Sequence, residues 1–344
     1  MHRSSFCRPR SDIANSRNVL YTAGKGGQAV KIAFLILAHH RPAQLAKLLQ
    51  ALDDPRFDFF VHVDRRETLD PFLEQSCPLR YSKLQFLSRR YRVFWGDISM
   101  VDATLELFHA ALDGEEYQRF VLLSGEDYPI ESNDVLYTRL MQPDIEFING
   151  RKLPYPVQVE GFWFWKLPGR LMVRCIRKLL YLLRIRKKPW LCVENRKWEI
   201  YQASQWVGLT RSCAQHLLSV VENHPQIRRY FRFSHAPDQL LIPTILYNTP
   251  EFRFKTTVDQ NRHYTFNEYP ALHYVRYHPQ RGTSVEYLDE SVYNDLLASG
   301  KMFLRKVTAG KSDRLIAMLD AYRMIPAMEE QHDRNQNPDK EGAI

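Results

Sequence analysis

FVLLSGEDYPI, residues 120–130, is an unbroken apolar run that ends in two adjacent carboxylates, Glu126 and Asp127. Such a run, bounded by Gly and Pro, has the pattern of a strand buried on both faces. Open α/β sheets bind ligands beyond the carboxyl ends of their strands. Acids delivered there are candidates for holding a metal and a diphosphate, or for proton transfer. A plainer reading stands beside this one: Asp127 ahead of Tyr128-Pro129 forms a turn through its own backbone.

The pattern spreads outward in both directions. KIAFLILAHH, residues 31–40, is another continuous apolar strand. Arg41-Pro42 opens a helix striped by Leu45, Leu48, Leu49 and Leu52. FDFFVHVD (57–64) is a second strand ending in an acid. Residues 67–75 read as helix and KLQFLSR (83–89) as a third strand. Residues 98–112 form a helix with Val101, Leu105, Phe108 and Leu112 on one side. After the central strand come a helix over 134–141 and a strand, DIEFIN, at 144–149. This alternation predicts an α/β fold, a mostly parallel Rossmann-like sheet flanked by helices. His39, His40, Asp64, Glu126 and Asp127 all fall at its strand ends. Asp64 could equally cap the next helix.

The 344 residues include 48 basic and 39 acidic ones, a net +9, which favours an anionic partner such as a phosphate, a nucleic acid or an acidic lipid. No zinc-finger, RNP or helix-turn-helix spacing supports nucleic acid, and none is expected as a partner. Cys7, Cys77, Cys175, Cys192 and Cys213 are scattered without metal-site spacing, which points to a reducing compartment and no disulfide framework. No stretch reaches the roughly 18 apolar residues a membrane span needs. The expected location is cytoplasmic, with loose membrane contact. Residues 170–188 carry Arg170, Arg174, Arg177, Lys178, Arg184, Arg186, Lys187 and Lys188 with no acid. They read either as a solvated helix over the core or as a surface for anionic membrane.

Beyond these lie a Trp-rich turn-strand segment (198–209), a helix near 212–221, a Pro-led helix from Ala236-Pro237 and a last helix near 312–322. Three regions follow: a disordered arm (1–29), one folded domain (30–324) and a disordered polar tail (325–344). The GKGG of the arm (24–27) precedes a strand and lacks a downstream Lys-Ser/Thr pair, so it is not a phosphate loop.

Several stretches now align in one order: HVD at 62–64 after Val61, FWGDISMVDATL at 94–105, LLSGEDYPI, SQWVGLTR at 204–211, APDQLLIPTIL at 236–246 and FLRK at 303–306. In that order they resemble the core-2/I-branching β-1,6-N-acetylglucosaminyltransferase family, which includes the peptide O-xylosyltransferases. The resemblance covers about residues 31–320, and the WG-x-x-S detail is similar to bacterial members. It implies a GT-A-like fold and inverting transfer from a UDP-sugar to a saccharide or peptide hydroxyl. It also implies no metal and no other cofactor, because basic residues near the C-terminus neutralise the diphosphate. A bacterial-type member would build surface polysaccharide.

Residue by residue, the resemblance implies donor contacts from Ala38, His39 and Asp64 to uridine, with Arg92 and Trp95 in the nucleotide loop. Gln205 and Trp206 form the donor-side pair, and Arg305 and Lys306 meet the diphosphate. Arg276 resembles a second basic position, although its spacing to Lys306 differs. Trp95 and Trp206 would otherwise pass as core aromatics. The donor sugar stays open between N-acetylglucosamine and xylose.

One departure matters. The family's N-acetylglucosaminyltransferases use the Glu of a Pro-Asp-Glu motif as the base, and here the motif reads Pro237-Asp238-Gln239. An amide accepts no proton at neutral pH, though it can orient a hydroxyl. Three readings follow: Asp238 is the base; Glu126, Asp127 or Glu160 reaches in; or the chain binds nucleotide-sugar and glycan without efficient turnover.

Overall fold

The computed structural model describes residues 30–76, 78–114, 116–153, 157–167, 169–257, 270–278 and 284–336. The expected arm, its GKGG, Cys7 and Cys77 lie outside the described residues.

Strand β1 (Lys31–Ala38) runs into helix α1 (Pro42–Ala51), then β2 (Phe57–Val63), α2 (Asp70–Gln75), β3 (Leu84–Phe86), α3 (Ile98–Leu112), β4 (Tyr117–Ser124), β5 (Asp127–Pro129) and α4 (Asn133–Leu140). The main sheet has the order Gly208–Thr210, β4, β1, β2, β3; only the first of these strands is antiparallel to its neighbour. The mostly parallel α/β architecture expected from the alternating pattern is therefore present.

Both faces of the central strands are covered, which is why Ile32–Ala38 of β1 and Phe120–Leu123 of β4 are unbroken apolar runs. Ala33, Leu35 and Leu37 of β1, with Phe120 and Leu122 of β4, pack towards α3 and the helix Arg211–Asn223. Their alternates Ile32, Phe34, Ile36, Val121 and Leu123 face α1 and α4. That is the two-residue period of a strand read in three dimensions.

The opening stretch departs from the expectation of one strand. Asp127 Oδ2 accepts from the Ser124 amide (2.7 Å), and Ser124 Oγ accepts from the Glu126 amide (3.1 Å). These bonds fold Gly125-Glu126 into a turn, so β5 leaves the main sheet. It pairs antiparallel with Phe303–Arg305, which runs parallel to His273–Val275. A third apolar cluster, including Tyr128, Leu304, Leu315 and Leu319, packs this small sheet under the last helix.

Three boundaries also differ. DIEFIN forms isolated bridges, Glu146 to Thr256 and Phe147 to Gly208, because buried Glu146 turns its carboxylate onto the Thr210 amide (2.8 Å) instead of extending a ladder. Ala236-Pro237 opens a 3-10 turn, Pro237–Gln239, ahead of the helix Leu241–Asn248. The last helix spans Asp313–Gln336, past residue 325 where the tail was expected to begin. Residues 327–331 (AMEEQ) are helix formers that continue it, and residues 337–344 lie outside the described residues.

Candidate active site

Strand register builds the first half of the site. Asp127 stands opposite Arg305 in the antiparallel pair. Asp127 Oδ1 accepts from the Arg305 guanidinium at 2.8 Å, and Oδ2 lies 3.0 Å from Nε2 of the buried His273. Burial alone would raise the Asp127 carboxyl, but Arg305 and His273 outweigh it and hold it below the ordinary carboxylate range. The Arg305 guanidinium also lies over the Trp206 ring, 4.4 Å from its centroid. Trp206 is buried, so it serves as the floor beneath a cation, while Gln205 beside it stays half-buried.

Glu126, one residue earlier, gathers the second half. Its Oε1 accepts from Arg41 and from the Tyr287 hydroxyl (3.0 Å) and lies 3.4 Å from His40 Nε2; Lys306 Nζ is 3.1 Å from Oε2. Burial pushes this carboxyl up, yet Lys306, Arg305 and His40 together bring it below its ordinary value. Arg41 reaches it from a left-handed backbone (φ 58°) ahead of Pro42, a conformation that costs about 1–2 kcal/mol for a residue with a Cβ. Burial, and then repulsion from His40, lowers the His39 pKa to about 4; burial also lowers His40.

His39, His40 and Glu126 bring three ligand atoms within 4.8 Å of one another. By donor type the set suits zinc. By charge it does not, because a divalent cation would face the Arg41 guanidinium and Lys306 ammonium on the same carboxylate.

The β2 end closes the site on another side. The Asp64 amide donates to Ala38 O (2.8 Å), which ties the first two strand ends together. The Asp64 carboxylate takes Arg66 Nη2 at 2.7 Å and the Val93 amide at 3.1 Å. Burial opposes ionisation here, but the Arg66 hydrogen bonds prevail and its pKa is lowered. Asp64 caps no helix; it anchors the loop that carries Arg92 and Trp95. Both of those side chains are exposed, Trp95 by 62%, which removes the core-aromatic reading for Trp95.

The WG-x-x-S stretch is a helix start. Asp97 accepts from the Ser99 amide (2.9 Å), and Ser99 Oγ accepts from the Phe94 amide (3.0 Å). Gly96 has φ 74°, and a Cβ there would sit 2.9 Å from the Trp165 ring. Gly96→Ala is therefore expected to lower stability by about 1–3 kcal/mol, read as a drop in urea midpoint; an unchanged midpoint would contradict this packing.

Asp238 and Gln239 sit on the 3-10 turn behind Ala236, itself left-handed (φ 50°) before a proline. The Asp238 residue is half-buried, but its Oδ1 is enclosed and has no hydrogen-bond partner. Burial raises its pKa to about 6. Gln239 Oε1 accepts from the Gln202 amide at 3.3 Å. Arg276 follows the strand beside Arg305, half-exposed and 3.4 Å from Glu286.

The candidate acids divide clearly. Asp127 is fully enclosed, and all its partners are donors of positive charge or hydrogen, which is the arrangement of a clamp between strands. Glu126 is held ionised by cations and is a weak base. Glu160 lines a separate pocket beside the basic helix. Asp238 alone combines an unpartnered oxygen with a raised pKa. Sequence reasoning missed Arg41, Tyr287, Arg66 and His273. Arg41 carried a signal, standing before Pro at a strand end, but Tyr287 carried none. A cavity of about 690 Å3 beside β3 is lined by none of the candidates.

Fold and site together define a class: an α/β protein whose strand ends gather cations around two buried acids. A family model described as Core-2/I-Branching enzyme matches residues 32–295, and the chain belongs to this family. It is similar to human Xylosyltransferase 1, 24% identical over 239 residues, covering 67% of this chain and 23% of that protein. Xylosyltransferase oxt of Drosophila melanogaster is 25% identical over 254 residues, covering 71% and 27%. The chain thus spans about a quarter of the length of these curated relatives. Among solved structures, mouse Xyloside xylosyltransferase 1 in its apo form is 16% identical, with a TM-score of 0.31, covering 67% of this chain and 85% of that one. Among the described residues no helix is long and apolar enough to cross a membrane.

Proposed function

We propose that the chain is an inverting glycosyltransferase that moves a sugar from a UDP-sugar to a hydroxyl of a saccharide or peptide, without a resident metal. The observation that carries this reading is the meeting of Arg41, Arg305 and Lys306 over Glu126 and Asp127 at the strand ends. Departure of UDP builds negative charge on the diphosphate, and fixed cations stabilise that charge as it forms. Ala38, His39 and Asp64, with the loop of Arg92 and Trp95, take the nucleoside. Arg305 and Lys306, with Arg276 at the same edge, take the phosphates. Asp238 removes the acceptor proton, and Gln239 orients the hydroxyl. Family membership and the xylosyltransferase relatives support the reaction class. Whether xylose or N-acetylglucosamine is moved depends on one or two pocket contacts.

The test is UDP release from UDP-xylose and UDP-N-acetylglucosamine, with and without EDTA. One donor is expected to turn over equally in both conditions, and Lys306→Ala to slow it by about 10²–10³-fold. Loss of release on chelation would remove the metal-free mechanism. A second reading rests on Gln239, whose amide is tied to Gln202: a nucleotide-sugar or glycan-binding member without turnover. UDP binding without release, with release restored by Gln239→Glu, would establish that reading instead.

A further inference from the structure

The helix Arg170–Leu182 contains no buried side chain among those described. At 3.6 residues per turn, Leu171, Met172, Cys175, Leu179 and Leu182 share one arc of roughly 120°, continued by Leu183. All six are exposed, Leu171 by 74% and Leu182 by 66%. The half-buried Val173, Ile176, Arg177 and Leu180 lie on the next arc, against the protein, where Arg177 stacks 3.7 Å over Trp163. Exposed Arg174 and Lys178 border the apolar arc on its other side. Arg184, Arg186 and Lys188 follow, also exposed.

A pocket of about 370 Å3 opens beneath the helix flank. Arg174, Arg177, Lys178 and Arg186 line it, with Phe162 and Tyr181, against a single acid, Glu160. An apolar protein partner would satisfy the leucines and leave the cations facing nothing. An acidic protein would do the reverse. An anionic bilayer offers both: acyl chains for the apolar arc, and phosphates for the bases that flank it.

We propose that this helix lies flat in the surface of an anionic lipid bilayer, with its leucine arc at the acyl boundary and a lipid phosphate in the Arg174–Arg177–Lys178–Arg186 pocket. Trp163, under Arg177, packs 4.5 Å from His235, three residues before Asp238. The inference stands on the helix alone and holds whether or not the chain turns over a sugar.

The full chain is to be co-sedimented with vesicles of phosphatidylcholine, with and without phosphatidylglycerol. Binding is expected only to the anionic vesicles and is expected to weaken with salt. Arg174→Gln/Lys178→Gln/Arg186→Gln should lower the partition coefficient about a hundredfold, and Leu179→Asp/Leu182→Asp at least as much. These side chains are exposed or line a pocket, so circular dichroism and thermal midpoints should match the parent. Inorganic phosphate in excess should not abolish binding. Equal sedimentation of parent and variants would overturn the proposal. So would a vesicle-indifferent dimer that Leu179→Asp/Leu182→Asp dissociates, since that would make the face a self-association surface.

Discussion

Arg305→Met is expected to destabilise the protein by about 3–5 kcal/mol, the largest loss from any single change at the candidate site. Asp127 has no solvent exposure, and Arg305 supplies its compensating charge at 2.8 Å. Methionine fills similar volume and leaves the carboxylate buried with only His273 and the Ser124 amide as partners. Asp127→Asn/Arg305→Met removes both charges, so the double variant should recover much of the loss. The coupling energy then separates the ion pair from packing. The pH dependence gives a further check. In the parent, the native Asp127 pKa is lowered, so its contribution is present above the unfolded value near 4 and is lost as pH falls through the native value. In Arg305→Met, burial without the guanidinium raises that pKa, so the variant should regain stability relative to the parent on acidification. Urea unfolding at pH 7 and pH 5 measures both effects. A loss below about 1 kcal/mol, typical of an exposed pair, would show that the clamp is not a buried charge pair.

The same pair explains what could and could not be read from the chain. β1, β2 and β4 were legible because strands covered on both faces carry long apolar runs, and their ends placed Asp64 and Glu126 at one edge. The turn at Gly125-Glu126 was hidden. It depends on Asp127 bonding back to Ser124 and on Arg305, 178 residues away, pairing across the small sheet. No local pattern encodes a contact of that separation. Arg305 and Lys306 were reached only through resemblance, since FLRK by itself is an ordinary strand end. Tyr287 lies in a stretch without periodicity and arrives at Glu126 by tertiary packing alone. The basic run of 170–188 was visible in composition, but which side of its helix the protein covers was not.

Asp238→Asn is expected to abolish most turnover while making the protein more stable at neutral pH. The Asp238 pKa is raised from 3.8 to about 6 by burial, and its Oδ1 has no partner. A native pKa above the unfolded one means the folded chain holds the proton more tightly. That contribution is therefore fully present below about pH 4 and is lost as pH rises through about 6. At ~1.4 kcal/mol per unit, the shift corresponds to about 3 kcal/mol at pH 7.5. Asparagine never ionises, so the variant should gain about 2–3 kcal/mol there and should lack the parent's decline between pH 4 and 7. Activity runs the other way. A base must be ionised to accept the acceptor's proton, so kcat/KM of the parent should climb through pH 6 and then level, and the variant should fall by about 10²–10⁴-fold with a flat profile. Opposite movement of stability and rate in one variant is what a buried, unpaired base produces and what a structural carboxylate does not. If Asp238→Asn stabilises the fold yet turns over normally, the carboxyl is only a buried liability, and another group takes the acceptor's proton.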